Sequence, residues 1–121
     1  MKRCLVVDDS DIIRRIARRI LETLDVEVSE ADSGQAGIEL CQAQLPDAIL
    51  LDWLMPDMTG IDFLGALRAA AHDSRPYILY CTTENDGEDI ARALAAGAHD
   101  VLLKPFSREE LTAKLAQAGL A

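Results

Sequence analysis

The sequence holds no CxxC pair, and its three cysteines, Cys4, Cys41 and Cys81, are odd in number and far apart. That spacing excludes a disulfide framework and a zinc site and fits a reducing compartment. Basic charge is scarce, with 12 Lys and Arg against 21 Asp and Glu and a formal net charge of −9. A chain this negative is repelled by a phosphate backbone, so no direct nucleic-acid partner is expected. No apolar run approaches the length that crosses a bilayer, so no membrane insertion is expected. Met1-Lys2-Arg3 is followed by only four apolar residues before two aspartates, so no signal peptide is expected either. Neither GxGxxG nor GxxxxGK[ST] occurs, which argues against a glycine-loop nucleotide site. Repeats, low-complexity tracts and linkers are also missing.

What remains is 121 residues, half of them hydrophobic and 27% charged. That is ample apolar surface to offset ordering entropy, and it fits one domain spanning residues 1–121. The expectation is a small, acidic, soluble, cytoplasmic domain.

Two patterns alternate along it. Short apolar runs occur at Cys4-Leu5-Val6-Val7, Ala48-Ile49-Leu50-Leu51, Tyr77-Ile78-Leu79-Tyr80-Cys81 and Val101-Leu102-Leu103. The stretch around Val26 and Val28 alternates instead, as a more exposed strand does. Between the runs lie segments with apolar residues three and four apart. The clearest helix follows Ser10, with Ile12, Ile13, Ile16, Ile20, Leu21 and Leu24 on one face and Arg14, Arg15, Arg18 and Arg19 largely outside it. Ser10 or Asp11 can cap it. Further helices are predicted after Ser33 (with Ala36, Ile38, Leu40 and Cys41), near Thr59, after Asp86 and after Ser107, where Glu110 completes a Ser-x-x-Glu capping box. Pro46 and Pro76 fall in loops that feed strands. The pattern is (βα)5 in the α/β class. Continuous apolar strands separated by helices imply a parallel sheet covered on both faces, and five units suit an open, doubly wound sheet rather than a barrel.

Polar residues follow the apolar runs. Asp8 and Asp9 follow the first, Asp52 closes the third, Thr82 and Thr83 follow the fourth, and Lys104 follows the fifth. Strand ends of one polarity share one edge of a parallel sheet, where ligands bind. Three carboxylates, a hydroxyl and an ammonium therefore meet. Carboxylates that close repel one another, and a hard divalent cation resolves the conflict. With oxygen ligands only, Mg²⁺ is the natural choice. Taken singly, each aspartate reads as a cap or turn residue. Taken together with Lys104 at successive strand ends, that reading loses.

The segments Val6-Val7-Asp8-Asp9-Ser10, Asp52-Trp53-Leu54-Met55-Pro56-Asp57-Met58-Thr59-Gly60, Thr82-Thr83-Glu84 and Lys104-Pro105-Phe106 occur in this order across the whole chain. They resemble the signature segments of response-regulator receiver domains, most of all the stand-alone, CheY-like kind. The combination of D-x-x-M-P-x-M-x-G with a later K-P-F is rarely met by chance. The resemblance implies a flavodoxin-like sheet of strand order 2-1-3-4-5. It implies that Asp52 is the phosphoacceptor, and that Asp9 and Asp52 hold Mg²⁺ with the backbone carbonyl of Leu54. Asp8 then acts through a metal-bound water. Thr82 hydrogen-bonds a phosphoryl oxygen, and Lys104 pairs first with Asp52 and later with the phosphoryl group. The Lys104–Pro105 peptide bond is expected to be cis. The implied partners are a histidine kinase or histidine phosphotransferase and a downstream target protein bound through helix 4, strand 5 and helix 5. Such a domain is not an enzyme beyond its own phosphorylation and slow dephosphorylation.

Three positions depart from the best-known chemotaxis receivers. Val101 stands where an aromatic switch residue is common. Leu54 stands where a polar residue is frequent, and it either screens the acyl phosphate or packs locally. Thr83 is bulkier than the usual small residue, and is read as an exposed, tolerated side chain. The four arginines are read as a solvated helix face, with kinase or phosphotransferase docking as the alternative. His72 and His99 lie outside the acidic group and read as exposed loop or helix-end residues. Cys4 and Cys81 read as buried, Cys41 as part of a helix face, and Met55 and Met58 as loop residues of the family pattern that also fill space. The short stretch beyond Lys104-Pro105 suffices for one last helix, so no output domain is expected. The rival functions are an aspartyl-nucleophile phosphohydrolase and a receiver-like binding module that works without phosphorylation.

Overall fold

A computed structural model describes residues 2–70, 76–83 and 87–120. His72, Glu84 and Asp86, which figured in the sequence reading, lie outside the described residues. The strands are β1 (Arg3–Val7), β2 (Glu27–Ala31), β3 (Ala48–Asp52), β4 (Tyr77–Thr82) and β5 (Asp100–Leu103). The helices are α1 (Asp11–Glu22), α2 (Gly34–Ala43), α3 (Gly60–Ala70), α4 (Gly87–Ala96) and α5 (Arg108–Gln117). All strand pairs are parallel, in the order β2-β1-β3-β4-β5. This is the expected (βα)5 sheet. Among the described residues no helix is long and apolar enough to cross a membrane.

Residues alternate across the strands, and each parity feeds a separate core. Leu5, Val7, Ile49, Leu51, Ile78 and Tyr80 pack beneath α2, α3 and α4 with Ile38, Phe63 and Ala93. Cys4, Val6, Leu50, Leu79, Cys81 and Leu102 pack on the other side, beneath α1 and α5, with Ala17, Leu21, Leu111 and Leu115. β2 lies at the sheet edge and is the least buried of the first three strands, which accounts for its alternating sequence. All three thiols are buried, and burial raises the pKa of Cys4 and Cys81 to about 12 and of Cys41 to about 11. None is available as a thiolate nucleophile or metal ligand.

The caps fall where their chemistry requires. Ser10 accepts the Ile13 amide at 3.2 Å and Ser33 the Ala36 amide at 3.2 Å. Ser107 and Glu110 form the reciprocal capping box at 3.1 Å in each direction. α1 departs from expectation. Its buried residues are Ala17, Ile20 and Leu21, whereas Ile12 is 67% and Ile16 42% exposed. The helix is rotated so that Arg14 and Arg18 lie toward β2, where both pair with Glu30. The solvated-face reading therefore fails for these two arginines and holds for exposed Arg15 and Arg19.

The β3–α3 connection folds back on itself. Met55 N–H donates to Met58 O at 3.1 Å, Gly60 N–H to Trp53 O at 2.9 Å, and Leu54 bridges Thr59. Asp57, in this loop, accepts the Gly34 amide at 2.9 Å and the Gln35 amide at 2.8 Å, pinning the first turn of α2. Met55 is buried, and Met58 packs on the core against Gly34.

Two stability effects follow. A Cβ at Gly60 would stand 2.5 Å from Tyr80 Cε1 and 2.9 Å from the backbone oxygen of Asp52. Gly60→Ala should therefore cost about 1–3 kcal/mol in urea unfolding, the usual range for overpacking. Amide donors from Gln35 and Gly34 hold the Asp57 carboxyl below its ordinary pKa. A depressed carboxyl stabilises the fold above its unfolded-state value, and that contribution is lost as pH falls through the folded value. Asp57→Ala should thus lower the thermal midpoint at neutral pH, with the difference from wild type shrinking on acidification.

Candidate functional site

The site grows from the carboxyl edge of the sheet. Beyond Val7 the chain enters Asp8-Asp9-Ser10. The Asp8 amide donates to Ala31 O of β2 at 3.1 Å, and the Ser10 amide donates to Asp8 Oδ1 at 2.9 Å. Asp52 is the last residue of β3, in register with Cys81. Lys104 follows β5, its amide donating to Thr82 O at 2.9 Å. Asp8, Asp52 and Lys104 each stand two residues beyond a member of the core under α1 and α5, namely Val6, Leu50 and Leu102. Strand alternation therefore sends all three side chains off the same face.

They meet there. Lys104 Nζ lies 2.7 Å from Asp8 Oδ2 and 2.8 Å from Asp52 Oδ1. Asp8 and Asp52 are each only 3% exposed, and Asp9 is exposed. One carboxylate oxygen from each of Asp8, Asp9 and Asp52 lies within 4.8 Å of the other two. Burial raises the Asp52 pKa; the hydrogen bond from Lys104 opposes this, and the charges of Asp8 and Asp9 add to it. For Lys104, burial disfavours the ammonium, but its hydrogen bonds to Asp52 and Asp8 outweigh that and raise its pKa. The lysine is thus a fixed cation, and Asp52 a carboxylate under electrostatic stress.

This donor set suits a hard divalent cation. It offers oxygen only, with more negative charge than one ammonium can balance. The structure thus gathers Asp8, Asp9, Asp52 and Lys104 as their sequence positions suggested. Thr82 closes β4, fully buried and in register with Leu103. The Leu54 side chain is 50% exposed; a hydrocarbon holds no cation, so the backbone carbonyl is the group this residue could offer the cluster. The Lys104–Pro105 bond is cis. Thr83 is exposed. His99 is exposed between α4 and β5, where its Nδ1 accepts the Ile78 amide at 2.9 Å and its ring stacks on Tyr77.

Sequence reasoning missed two residues next to the cluster. Arg14 donates to the Asp8 carbonyl, and Glu30 holds Arg14. The clue in the sequence was acidic Glu30 on a half-exposed strand beside a basic helix. Tyr80 was assigned only to a strand. It pairs with Val101 across the ladder and is buried, and its phenol pKa is raised to about 12 by burial and by Asp89 of α4.

Comparison with known proteins places these features in a family context. The sequence profile of the response regulator receiver domain matches residues 4–116. The chemotaxis protein CheY of Pseudomonas aeruginosa is 34% identical over 114 residues, covering 93% of this chain and 92% of that protein. The phosphate regulon transcriptional regulatory protein PhoB of Klebsiella pneumoniae is 33% identical over 114 residues, covering 94% of this chain but only 50% of that protein. The chain thus spans half the length of PhoB. The solved structure of chemotaxis response regulator CheY4 of Vibrio cholerae superposes with a TM-score of 0.91 at 35% identity, covering 98% of each chain.

The raised pKa of Asp52 yields a prediction with a definite sign. A carboxyl whose folded-state pKa is raised penalises the fold wherever it is ionised in the unfolded chain, and the penalty vanishes below the ordinary carboxylate range. Asp52→Asn should therefore raise the thermal midpoint in EDTA at neutral pH, and the gain should disappear at pH values below about 4. An unchanged or lowered midpoint at neutral pH would contradict the electrostatic account.

Proposed function

The chain belongs to the response regulator receiver domain family, and on that premise we propose that it is a phosphorylation-activated switch of a two-component phosphorelay. It accepts a phosphoryl group onto Asp52 from a histidine kinase or histidine phosphotransferase and then binds a downstream protein. The observation that carries this reading is the buried Asp52 carboxylate, 2.8 Å from the Lys104 ammonium and clustered with Asp8 and Asp9.

Asp8, Asp9 and Asp52, with the backbone carbonyl of Leu54, would hold Mg²⁺, and Asp8 would act chiefly through a bound water. The ion supplies charge neutralisation for the incoming phosphoryl oxygens and helps to align them. Asp52 attacks phosphorus in line, the bond to the donor histidine breaks, and the histidine departs. A carboxylate is a weak nucleophile, so positioning and charge do most of the catalysis. Lys104 is a compact cation on a flexible stem and follows the negative charge from the Asp52 oxygen to the phosphoryl group. Asp52 exchanges a carboxylate of charge about −1 for an acyl phosphate of about −2, so the modification adds roughly one negative charge, placed on the phosphoryl oxygens. Thr82 turns its hydroxyl toward a phosphoryl oxygen, and the shift passes to α4, β5 and α5. Leu94 and Leu103 are exposed there and offer an apolar contact for the target. Coupling of this kind is typically worth about 1–3 kcal/mol.

Ile12 and Ile16, exposed one turn apart on α1 beside the acidic loop, would receive the phosphodonor protein. The output is a chemotaxis-type response or an adaptor or phosphate-shuttle role, acting in the cytoplasm. The domain turns over only its own aspartyl phosphate and is not an enzyme toward other substrates.

Incubation with acetyl phosphate and Mg²⁺, followed by intact-mass measurement, tests the proposal. We expect one added phosphoryl group on the wild type, none in EDTA and none on Asp52→Asn. Equal labelling of Asp52→Asn would remove Asp52 from its role, and sustained turnover of phosphate esters would favour a phosphohydrolase instead.

A further inference from the structure

The acidic loop between β1 and α1 is gripped from outside by Arg14, a residue that phosphoryl transfer does not use. Its side chain is 13% exposed, and its guanidinium meets three neighbours at once. Nη1 donates to the carbonyl oxygen of Asp8 at 2.5 Å, Nε donates to Glu30 Oε1 at 3.1 Å, and Nη2 pairs with Asp11. Glu30 is aimed in turn. Its other oxygen accepts from Arg18 Nε at 2.6 Å, and Arg18 also reaches Val28 O at 3.3 Å. α1 and β2 thus converge on one planar fork.

The Asp8 carbonyl belongs to the rigid peptide plane that it shares with Asp9. Holding that oxygen fixes the rotation of the plane and the direction in which Asp9 leaves the chain. The other polar groups of Asp8 are already fixed, by Ala31, Ser10 and Lys104. Asp9 is exposed and has no hydrogen-bond partner of its own among the described residues, so its aim depends on the backbone. We propose that Arg14, held by Glu30, is a positioning residue for the divalent-cation site, setting the Asp8–Asp9 peptide so that the Asp9 carboxylate faces Asp8 and Asp52. The proposal rests on the Mg²⁺ site described above.

Coulombic and positioning effects of Arg14 have opposite signs here. Removing a positive charge near a cation site strengthens cation binding if charge alone matters. Loss of the backbone grip weakens it. Lysine keeps the charge, but its single ammonium cannot reproduce the planar fork.

The test is Mg²⁺ titration of wild type, Arg14→Lys and Arg14→Gln. It is followed through the fluorescence of Trp53, the single tryptophan of the chain, which adjoins Asp52. Thermal unfolding in EDTA is measured alongside. We expect both variants to bind Mg²⁺ roughly tenfold or more weakly, as for other residues that orient metal ligands. A merely structural Arg14 would lower the thermal midpoint and leave the affinity of the folded protein unchanged. Wild-type or tighter affinity in either variant overturns the proposal, and Arg14→Lys decides alone if the glutamine variant does not fold. A wild type that binds no Mg²⁺ overturns the cation site itself and this proposal with it. Tight wild-type binding with unchanged variants overturns only the role of Arg14.

Discussion

The Lys104 ammonium, held between the carboxylates of Asp8 and Asp52, is the contact on which the arrangement of the strand ends depends. Three carboxylates within 4.8 Å repel one another, and two of them are almost wholly removed from water. One ammonium satisfies both buried carboxylates at hydrogen-bonding distance but leaves negative charge unbalanced. Removing the lysine would leave both buried carboxylates without water or a counter-charge, a loss that typically costs about 3–5 kcal/mol, whereas removing one carboxylate still leaves the ammonium a partner. The site is therefore compact enough to persist, and it retains a standing attraction for further positive charge. The parity of β1, β3 and β5 dictates this meeting. Each of the three side chains continues a line of core residues on the α1 and α5 side, so the packing of Val6, Leu50 and Leu102 aims the polar groups beyond them.

Most of the fold was legible because each local signal agreed with the next. Uninterrupted apolar runs marked the inner strands, the alternating one marked the edge, and serines marked three helix starts. α1 was the exception. By hydrophobic period alone Ile12 and Ile16 belong inward, and Arg14 and Arg18 look no different from Arg15 and Arg19, each pair being one turn apart. Only Glu30, brought alongside by the crossover from α1 into β2, separates them. An ion pair between elements leaves no mark on periodicity, so the rotation of the helix could not be read from it. Asp57 was hidden for the same reason, since its amide partners lie at the start of α2.

The acidic site was legible residue by residue because its members terminate strands, and a parallel sheet brings strand ends together. The surroundings were not. Val101 signalled an absent ring, yet a ring is present one strand away: Tyr80 is fully buried beside Val101 and turns its phenol toward Asp89 of α4. The close approach of Gly60 to that ring and to the Asp52 carbonyl ties it to the backbone of the strand that ends in Asp52. The aromatic bulk between sheet and helix is thus supplied from β4 and is enclosed. A side chain so confined does not swing between inside and outside.

Both open margins of the sheet carry acidic side chains engaged by cations from their own molecule. On β2, Glu27 meets Arg3, and Glu30 meets Arg14 and Arg18; on the four-residue β5, Asp100 meets Lys114. A foreign strand added at either margin would have to crowd or desolvate these ion pairs before gaining a ladder of backbone bonds. Charged, short margins of this kind discourage edge-to-edge aggregation. Association through the sheet margins is therefore disfavoured, which leaves the helical faces and the exposed Leu103 that ends β5 as the surfaces open to other proteins.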